Sequence, residues 1–488
     1  MIQDYIEKDI VRRVKLVQFF FDLHTLNIID VSKKLNVTTN TIKSDFEKIC
    51  MTLSPFISTD NYTTSDITII FVAEISRYEL VKQIYRDSKF LNVCARYIQG
   101  NYDYLSIVEE EFVSVTKAFS IKKQVEMYFK ETLGANWSDA GYKYIPEIKY
   151  RFLALSVCMR YDFLSDQSDD PILRQADHLA KKVLAKFLNK AIEKDFLFFK
   201  YAVYMALSRH SKNKLVISNH EEEFICSGII YNQMKEVIEE ELESTNTNSL
   251  EKEELIFLCV VYRSLPYNPP SYVFLEMDYK YQKERLLRNF KSIDILMDLL
   301  EKEFQSNLRG NILFELPLFN FIYYSMWELN HFLFERSIYL NESQLNIKRK
   351  MIDILDTWSV FCEGAVPHFT SQNIDNFCSR ISSTLIPEKT INTIPLLIVA
   401  EDAYAHINYR ENIKRWLSTE SIYIDDRLYY RIEDIPSYLL TRPHIVICDR
   451  SLWKKKEYSK EGLYFSISSS TILEDLKNIT LTIYEKKW

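Results

Sequence analysis

The stretch IIDVSKKLNVTTNTIKSDFEKI, residues 28–49, predicts two short helices joined by a tight turn. We expect the first helix over Ile28–Leu35 and the second from its N-cap residue Thr38 to about Ile49. Asn36 falls between them, and asparagine tolerates the left-handed backbone conformation that most residues avoid. Apolar residues recur at positions that would pack the two helices together, namely Val31, Leu35, Val37, Ile42, Phe46 and Ile49.

The outer face of the second predicted helix is small, polar and partly cationic at its N-terminal end. Such a face suits a recognition helix, because the first turns of a recognition helix meet base edges in the major groove of DNA. The alternative is an ordinary helical hairpin with a solvated face, since helix-turn-helix patterns have loose sequence rules. On the DNA-binding hypothesis, the contacting residues are Thr39, Asn40, Lys43, Ser44 and Lys48.

The flanking sequence extends this pattern to a winged helix. Residues 9–26 predict an amphipathic helix with a cationic face that either contacts DNA phosphates or is simply solvated. The β-rich run Ile67–Val72 follows a polar turn and is typical of a hairpin wing. The cationic side chains of the preceding helix are Arg12, Arg13 and Lys15.

Residues 104–129 repeat the pattern of the opening stretch. An offset of 76 residues (114 − 38) aligns Ser114 with Thr38. A duplicated DNA-reading unit would suggest an extended DNA site. At this offset the apolar positions are matched by Ile107, Val113, Ala118 and Val125.

The second copy departs from the first at two apolar positions. Glu111 and Lys122 interrupt the match, and we expect the neighbouring Phe112 and Ile121 to fill those places. The outward face expected to contact DNA carries Thr116, Lys117, Ser120, Lys123 and Gln124.

The composition limits the classes of protein that this chain fits. Its 488 residues suffice for roughly three to five domains. Only 7 residues are Gly, and neither GxGxxG nor GxxxxGK[ST] occurs, which argues against a glycine-rich phosphate loop. The formal charge of −7 means that any affinity for DNA has to come from localised cations.

Cysteine usage and hydropathy indicate a cytoplasmic protein. The 8 cysteines are scattered and form no CxxC motif, as expected of reduced and mostly buried thiols. No apolar run approaches about 20 residues, so we expect no membrane span, and the acidic N-terminus argues against a signal peptide. We predict no metal site, no cofactor and no catalytic residue, since His406 and His444 lack partners at ligand spacing.

The rest of the chain changes character once. Residues 147–385 are predicted to be helical with few interruptions, and the proline-rich stretch LPYNPPSY divides them into two bundles. The composition changes at residues 386–395. Beyond them LLIVA (396–400) and HIVICD (444–449) are predicted strands that alternate with helices, which indicates a small, mostly parallel α/β sheet.

The order of these segments resembles that of the Mga/AtxA-like virulence regulators of Gram-positive bacteria. The sharpest local likeness lies in LNVTTNTIKSDFEKI, FVSVTKAFS and GYKYIPEIKYRF, where Gly141, Glu147 and Arg151 look like the family's entry into its helical bundles. By architecture the resemblance covers essentially the whole chain. It implies a mainly α, multidomain, cytoplasmic transcription regulator that binds double-stranded DNA at promoters and forms a homodimer or higher oligomer.

The same resemblance implies a division into domains. It gives a first (winged) helix-turn-helix domain at 1–75, a second helix-turn-helix domain at 76–150, phosphotransferase regulation domains at 151–270 and 271–388, and, at 393–488, an α/β domain similar to the B component of a sugar phosphotransferase enzyme.

Regulation domains of this kind are tuned by phosphorylation of an accessible histidine, so the resemblance also implies a histidine phosphocarrier protein as a partner. His210 is the first candidate, because Arg209, Lys212 and Lys214 could bind a phosphate through charge-assisted hydrogen bonds. The other candidates are His331, His368 and His178.

The likeness to a B component lacks the reactive residue. Such a domain carries a phosphorylatable Cys in the loop after its first strand, where this chain has Ala400, Glu401 and Asp402. Cys448 lies at the end of a later strand, so we interpret the domain as having lost transfer chemistry. A catalytically inactive phosphotransferase-related scaffold, or a phosphocarrier protein, is the alternative to a DNA-binding regulator.

We expect the C-terminal domain to form the homodimer. Its predicted helix AYAHINYRENIKRWL carries more aromatic surface than one small sheet can cover, and exposed aromatic patches commonly mark interfaces. The side chains expected at the surface are Tyr404, Ile407, Tyr409 and Trp416.

Overall fold

Helices dominate the structure, a computed structural model, and a small parallel sheet of four strands lies near the C-terminus. The chain divides into two units, Met1–Ser383 and Thr384–Trp488. Among the described residues, no helix is both long and apolar enough to cross a membrane. The structure describes residues 2–101, 103–134, 146–164, 169–188, 192–209, 213–244, 250–265, 272–326, 328–329, 332, 337–362, 369–385, 394–417, 422–453 and 461–485.

Short helices and three short strands make up the N-terminal part of the first unit. They are α1 (Lys8–Leu23), β1 (Thr25–Asn27), α2 (Ile28–Lys34), α3 (Thr39–Thr52), β2 (Ile57–Tyr62), β3 (Asp66–Phe71), α4 (Arg77–Tyr85), α5 (Lys89–Ile98), α6 (Tyr104–Glu110) and α7 (Val115–Leu133). The strands form an antiparallel sheet with β3 in the middle. The predicted helix pair and the predicted β-hairpin are therefore both confirmed as local structure.

The remainder of the first unit is helical. Its helices are α8 (Glu147–Cys158), α9 (Pro171–Phe187), α10 (Glu193–Arg209), α11 (Asn219–Cys226), α12 (Ile229–Ser244), α13 (Lys252–Ser264), α14 (Tyr272–Asn289), α15 (Ser292–Phe304), α16 (Ile312–Met326), α17 (Glu342–Ser359) and α18 (Ser371–Leu385). Apolar residues at helical spacing place one side of most of these helices in the core, as the sequence predicts. The helices α8 and α13 are instead buried on all sides over most of their length.

A buried ionic cluster joins three of these helices. Arg151 of α8 donates from Nη2 to Glu254 Oε1 of α13 at 2.9 Å and from Nε to Glu147 Oε1 at 2.8 Å. Arg209 of α10 donates from Nη2 to Glu147 Oε2, also at 2.9 Å. Glu147 and Arg151 thus hold α8 against α10 and α13, while Gly141 lies outside the described residues.

The second unit is a parallel α/β sheet. Its elements are β4 (Ile394–Val399), α19 (Ala403–Trp416), β5 (Ile422–Ile424), α20 (Ser437–Leu440), β6 (His444–Asp449), β7 (Gly462–Ile467) and α21 (Ile472–Glu485). The strand order is β5-β4-β6-β7, and every neighbouring pair is parallel. Apolar residues of α19 and α21 cover one face, and Tyr429, Ile435 and Leu439 cover the other, as a parallel sheet requires.

One carboxylate in the first unit, that of Asp195, is buried with incomplete hydrogen bonding. Asp195, in the first turn of α10, is 4% exposed, and among the described residues its Oδ1 has no hydrogen-bond partner. Burial raises the pKa of Asp195 to about 6, and the charge of Lys194 opposes that rise. The folded state therefore holds on to this proton at a pH where the unfolded chain has released it.

We expect Asp195→Asn to stabilise the protein near neutral pH. Because the folded pKa of Asp195 exceeds its unfolded value of about 3.9, the stability of the wild type falls as pH rises from about 4 to about 6. Asp195→Asn has no carboxyl group to titrate at this position and so does not lose this stability. The difference in free energy of unfolding, variant minus wild type, should therefore increase by about 2–3 kcal/mol between pH 4 and pH 7. Thermal or urea unfolding of both chains across this range measures the difference.

Asp177→Asn is the control with the opposite sign. Asp177 of α9 pairs with Lys181 and Lys200, and these lysines lower its pKa against the effect of burial, which is the largest single influence and acts to raise it. The stability contributed by Asp177 is therefore present above its unfolded pKa and is lost as pH falls. The free energy of unfolding of Asp177→Asn, relative to that of the wild type, should therefore decrease as pH rises. If Asp177→Asn and Asp195→Asn showed the same dependence of stability on pH, the opposite pKa directions assigned to the two carboxylates would be contradicted.

Candidate nucleic-acid interface

The turn between α2 and α3 has the geometry that the sequence predicts. Asn36 adopts φ +52°, in the left-handed region. The turn is closed by backbone hydrogen bonds from the Leu35 amide to Val31 O at 2.9 Å and from the Val37 amide to Ser32 O at 3.0 Å. The two helices are thereby held at a fixed angle to each other.

The cap and core of α3 decide which of its side chains face outward. Thr38 Oγ1 accepts a hydrogen bond from the Thr41 amide at 3.2 Å, which confirms Thr38 as the N-cap residue. Ile42, Phe46 and Ile49 are buried, as predicted. The opposite face is left to the predicted DNA-contacting residues, of which Thr39, Asn40, Ser44 and Lys48 are exposed and Lys43 is half-buried.

The β2–β3 hairpin lies beside α3. Lys43 Nζ is 5.4 Å from the centre of the Tyr62 ring, and the rings of Tyr62 and Phe46 are 6.2 Å apart. Tyr62 ends β2, so the hairpin places an aromatic ring beside the ammonium group of Lys43. This role of Tyr62 has no signal in the local sequence pattern, because the contact joins a helix and a strand that are separate in the chain.

Two cations of α1 are already engaged within the protein. Arg12 donates from Nη2 to Asp45 Oδ1 at 3.1 Å, and this hydrogen bonding raises the pKa of Arg12. Arg13 is buried and pairs with Asp9 at 3.2 Å and with Asp87 at 3.1 Å. The interpretation of Arg12 and Arg13 as phosphate contacts or as a solvated face is therefore wrong: Arg12 fastens α1 to α3, and Arg13 fastens α1 to the segment after α4.

The same backbone geometry recurs in α6 and α7. Phe112 adopts φ +50°, and Ser114 Oγ accepts from the Lys117 amide at 3.3 Å, as Thr38 does from Thr41. Asp103 caps α6 through the Leu105 amide at 3.1 Å, as Asn27 caps α2. The turn and both helix caps thus repeat at the predicted offset.

The interior of the second copy differs from the prediction. Phe112 is 92% exposed, so it does not fill the place of Leu35, because it occupies the left-handed position that corresponds to Asn36. Glu111 itself is buried there and is bound by Arg96 at 3.3 Å and by Asn92. Ile121 is buried and does take the place of Phe46.

The outer face of α7 is more apolar than that of α3. Thr116, Lys117, Ser120 and Lys123 are exposed as predicted, while Gln124 donates from Nε2 to Tyr5 O at 2.6 Å and so is engaged within the protein. Val115 and Phe119, also exposed, stand at the positions of Thr39 and Lys43. Only the first copy therefore has a polar outer face throughout its first turns.

Of the phosphorylation candidates, the structure describes one. His178 lies on α9 with an exposed side chain, and its Nε2 is 2.9 Å from Glu241 Oε2. Glu241 also pairs with Lys182 at 2.9 Å. His210, His331 and His368 lie outside the described residues.

The loop after β4 is organised around a helix cap. Asp402 Oδ1 accepts from the Ala405 amide at 2.7 Å and begins α19. Cys448 is buried within β6, and burial raises the pKa of its thiol to about 12, so the thiol is protonated at neutral pH. His406 is also buried, and burial lowers its pKa.

In the described part of the chain, no group of three or more His, Cys, Asp or Glu side chains is placed to hold a metal ion.

Comparison of the sequence with models of protein families finds no match, and comparison with curated proteins finds none either.

Proposed function

We propose that this chain is a DNA-binding transcription regulator of the Mga/AtxA type, in which the first turns of α3 enter the major groove. The observation that carries the proposal is the outward face of α3, where Thr39 and Asn40 are exposed beside Lys43. The Thr38 cap, the left-handed Asn36 and the Arg12–Asp45 pair hold this helix in place.

The side chains on this face suit base and phosphate recognition. Asparagine can bind adenine through two hydrogen bonds in the major groove, and lysine binds guanine or a phosphate. The β2–β3 hairpin beside α3 corresponds to the wing of a winged helix. Since the chain is acidic overall, binding depends on this localised face and on DNA shape more than on net charge.

A gel-shift series on promoter fragments tests the proposal. The full-length chain should prefer some fragments over a scrambled competitor of equal length, and the logarithm of its affinity should fall linearly with the logarithm of salt concentration. Association of the chain with itself or with other proteins, in the absence of any DNA binding, would instead support a scaffold.

The C-terminal unit offers an apolar patch for homodimer formation. Tyr404 and Ile407 lie three residues apart on α19 and are 82% and 59% exposed, and Trp416 is 40% exposed. Tyr409, which the sequence pattern places at the surface, is instead buried in the apolar core of the second unit, and its hydroxyl donates to Asp449 Oδ2 at 2.6 Å. The proposed contact therefore centres on Tyr404 and Ile407.

We expect Tyr404→Glu/Ile407→Glu to weaken self-association without unfolding the second unit, because both side chains are exposed. Sedimentation equilibrium of the full-length variant and wild type measures the effect, which we expect to be at least tenfold in the association constant. Arg415→Glu, at another exposed position on α19, changes the net charge by the same amount and serves as the control. If the double variant associates as tightly as the wild type, this patch is not the dimer contact.

A further inference from the structure

A cavity of about 640 Å³ lies within the first unit, where α1 and α4 meet α10, α16 and α18. Its volume falls in the range of sites that bind small molecules. Aromatic side chains from all five helices line it, and these are Phe21, Tyr78, Phe198, Phe321, Tyr324 and Phe377. The cavity is therefore suited to a ligand with an apolar body.

Asp195 gives the cavity its polar anchor. It lines the cavity, it is buried, and among the described residues its Oδ1 accepts no hydrogen bond. A buried carboxylate oxygen without a donor carries a desolvation cost that a cationic donor would remove. The two other charged residues of this stretch, Glu193 and Lys194, are exposed and half-buried respectively.

Other polar side chains around the cavity already have partners. Arg77 donates from Nη2 to Asp22 Oδ1 at 2.5 Å, and its guanidinium lies 4.6 Å from the centre of the Phe21 ring. Gln18 Oε1 accepts from the Ser337 amide at 2.7 Å. Asn373 Oδ1 accepts from Thr370 Oγ1, at 2.6 Å. Of the two acidic residues that line the cavity, Glu193 is exposed, and Asp195 is therefore the buried carboxylate whose hydrogen bonding is incomplete.

We propose that this cavity binds a small organic amine with an apolar body, whose ammonium group pairs with Asp195. An ammonium supplies hydrogen-bond donors to the carboxylate, and it is also attracted to the faces of aromatic rings. An anion of the same size would be repelled by Asp195 and would have to pair instead with the half-buried Lys194 or the exposed Arg380 at the edge of the cavity, since Arg77 is paired with Asp22. A neutral ligand would leave the carboxylate uncompensated unless it carried a donor of its own.

The position of the cavity gives such binding a consequence. The helices α1 and α4 line the cavity and also pack against α3. A bound amine would therefore bias the arrangement of α3 relative to the helices behind it. This consequence rests on the proposed function, whereas the binding of the amine does not.

Titration calorimetry of the full-length chain with phenethylamine tests the binding site, with phenylacetate as the anion of similar shape. We expect phenethylamine to bind and phenylacetate not to bind. Asp195→Asn should weaken phenethylamine binding at least tenfold, and because this variant is expected to be more stable than the wild type near neutral pH, the loss cannot be attributed to unfolding. Asp177→Asn, which removes a carboxylate outside the cavity, should bind phenethylamine as the wild type does.

The site is overturned if phenethylamine fails to bind, if phenylacetate binds as tightly, or if Asp195→Asn retains the wild-type affinity. A gel shift with and without phenethylamine then tests the coupling to α3. Amine binding with unchanged DNA affinity would overturn the coupling and leave the site in place, while amine binding by a chain that binds no DNA would overturn the proposed function alone.

Discussion

Replacing Arg151 by Met should lower the free energy of unfolding of the first unit by about 3–5 kcal/mol, since removing one member of a buried ion pair leaves its partner's charge in a poorly solvated site. The Arg151 side chain is fully buried, and Glu254 is 2% exposed. Methionine fills much of the same volume but supplies neither the bidentate contact to Glu254 nor the contact of the guanidinium with the Phe257 ring, 5.1 Å away.

The loss of stability should be much larger for this buried ion pair than for an ion pair at the surface. Arg288→Met, which removes an exposed ion pair with Glu284, is the matched control and should cost less than about 1 kcal/mol. Arg151→Met/Glu254→Leu should recover much of the loss, because the carboxylate that has lost its bidentate contact with Arg151 is then gone and Glu147 keeps Arg209 as its partner.

Chemical denaturation of the three variants, followed by circular dichroism, measures these differences. A loss below about 1 kcal/mol in Arg151→Met, or no recovery in the double variant, would contradict this account of the cluster. The cluster also gives a physical reason for Glu147 and Arg151 in the fragment GYKYIPEIKYRF: they join α8 to two other helices.

The parts of the fold that follow from local chemistry could be predicted from the sequence. A helix cap such as Thr38 and a left-handed residue such as Asn36 act on backbone groups within a few residues, so their neighbours in the chain are sufficient to identify them. The strands of the C-terminal sheet are short apolar runs between turn residues, and the same local argument applies to them.

Contacts between distant residues could not be predicted in this way. Arg12 pairs with Asp45, 33 residues later, and the hydrophobic pattern does not distinguish such a cation from one that faces solvent. Tyr409 packs in the core of the second unit and donates a hydrogen bond to Asp449, 40 residues later, although its sequence neighbourhood resembles that of the exposed Tyr404. The cavity at Asp195 requires helices from the whole first unit and has no local signature.

The repeat shows how far an offset can be taken. The offset of 76 residues predicted the cap at Ser114 correctly. The same offset aligns Phe112 with Asn36, and both residues adopt the left-handed backbone conformation of the turn. In that conformation the phenylalanine ring lies at the surface. The side chain at an aligned position follows the backbone conformation there rather than the residue type. Phe119 is likewise exposed at the position that aligns with Lys43, because the backbone there is helical and faces outward in both copies. The outer faces of α7 and α3 therefore differ in chemistry at this position.

Asn40→Ala/Lys43→Ala should weaken binding to a preferred DNA fragment by roughly 10- to 100-fold, since a good side-chain contact to a base contributes about 1–3 kcal/mol of discrimination. The fold should survive, because Asn40 is exposed and Lys43, among the described residues, gives up a contact with the Tyr62 ring, which at a partly exposed site contributes about 0.5–1 kcal/mol. If Lys43 neutralises a phosphate, the salt dependence of binding should fall by about one unit in slope.

Lys186→Ala is the control for net charge, because it removes one cation from an exposed position on α9. It should leave both the affinity and the salt slope unchanged if recognition depends on the face of α3. Gel shifts at several salt concentrations, with circular dichroism to confirm the fold, measure both variants beside the wild type. Unchanged affinity in a folded double variant would remove α3 as the recognition helix and would leave the outer face of α7 as the surface to test next.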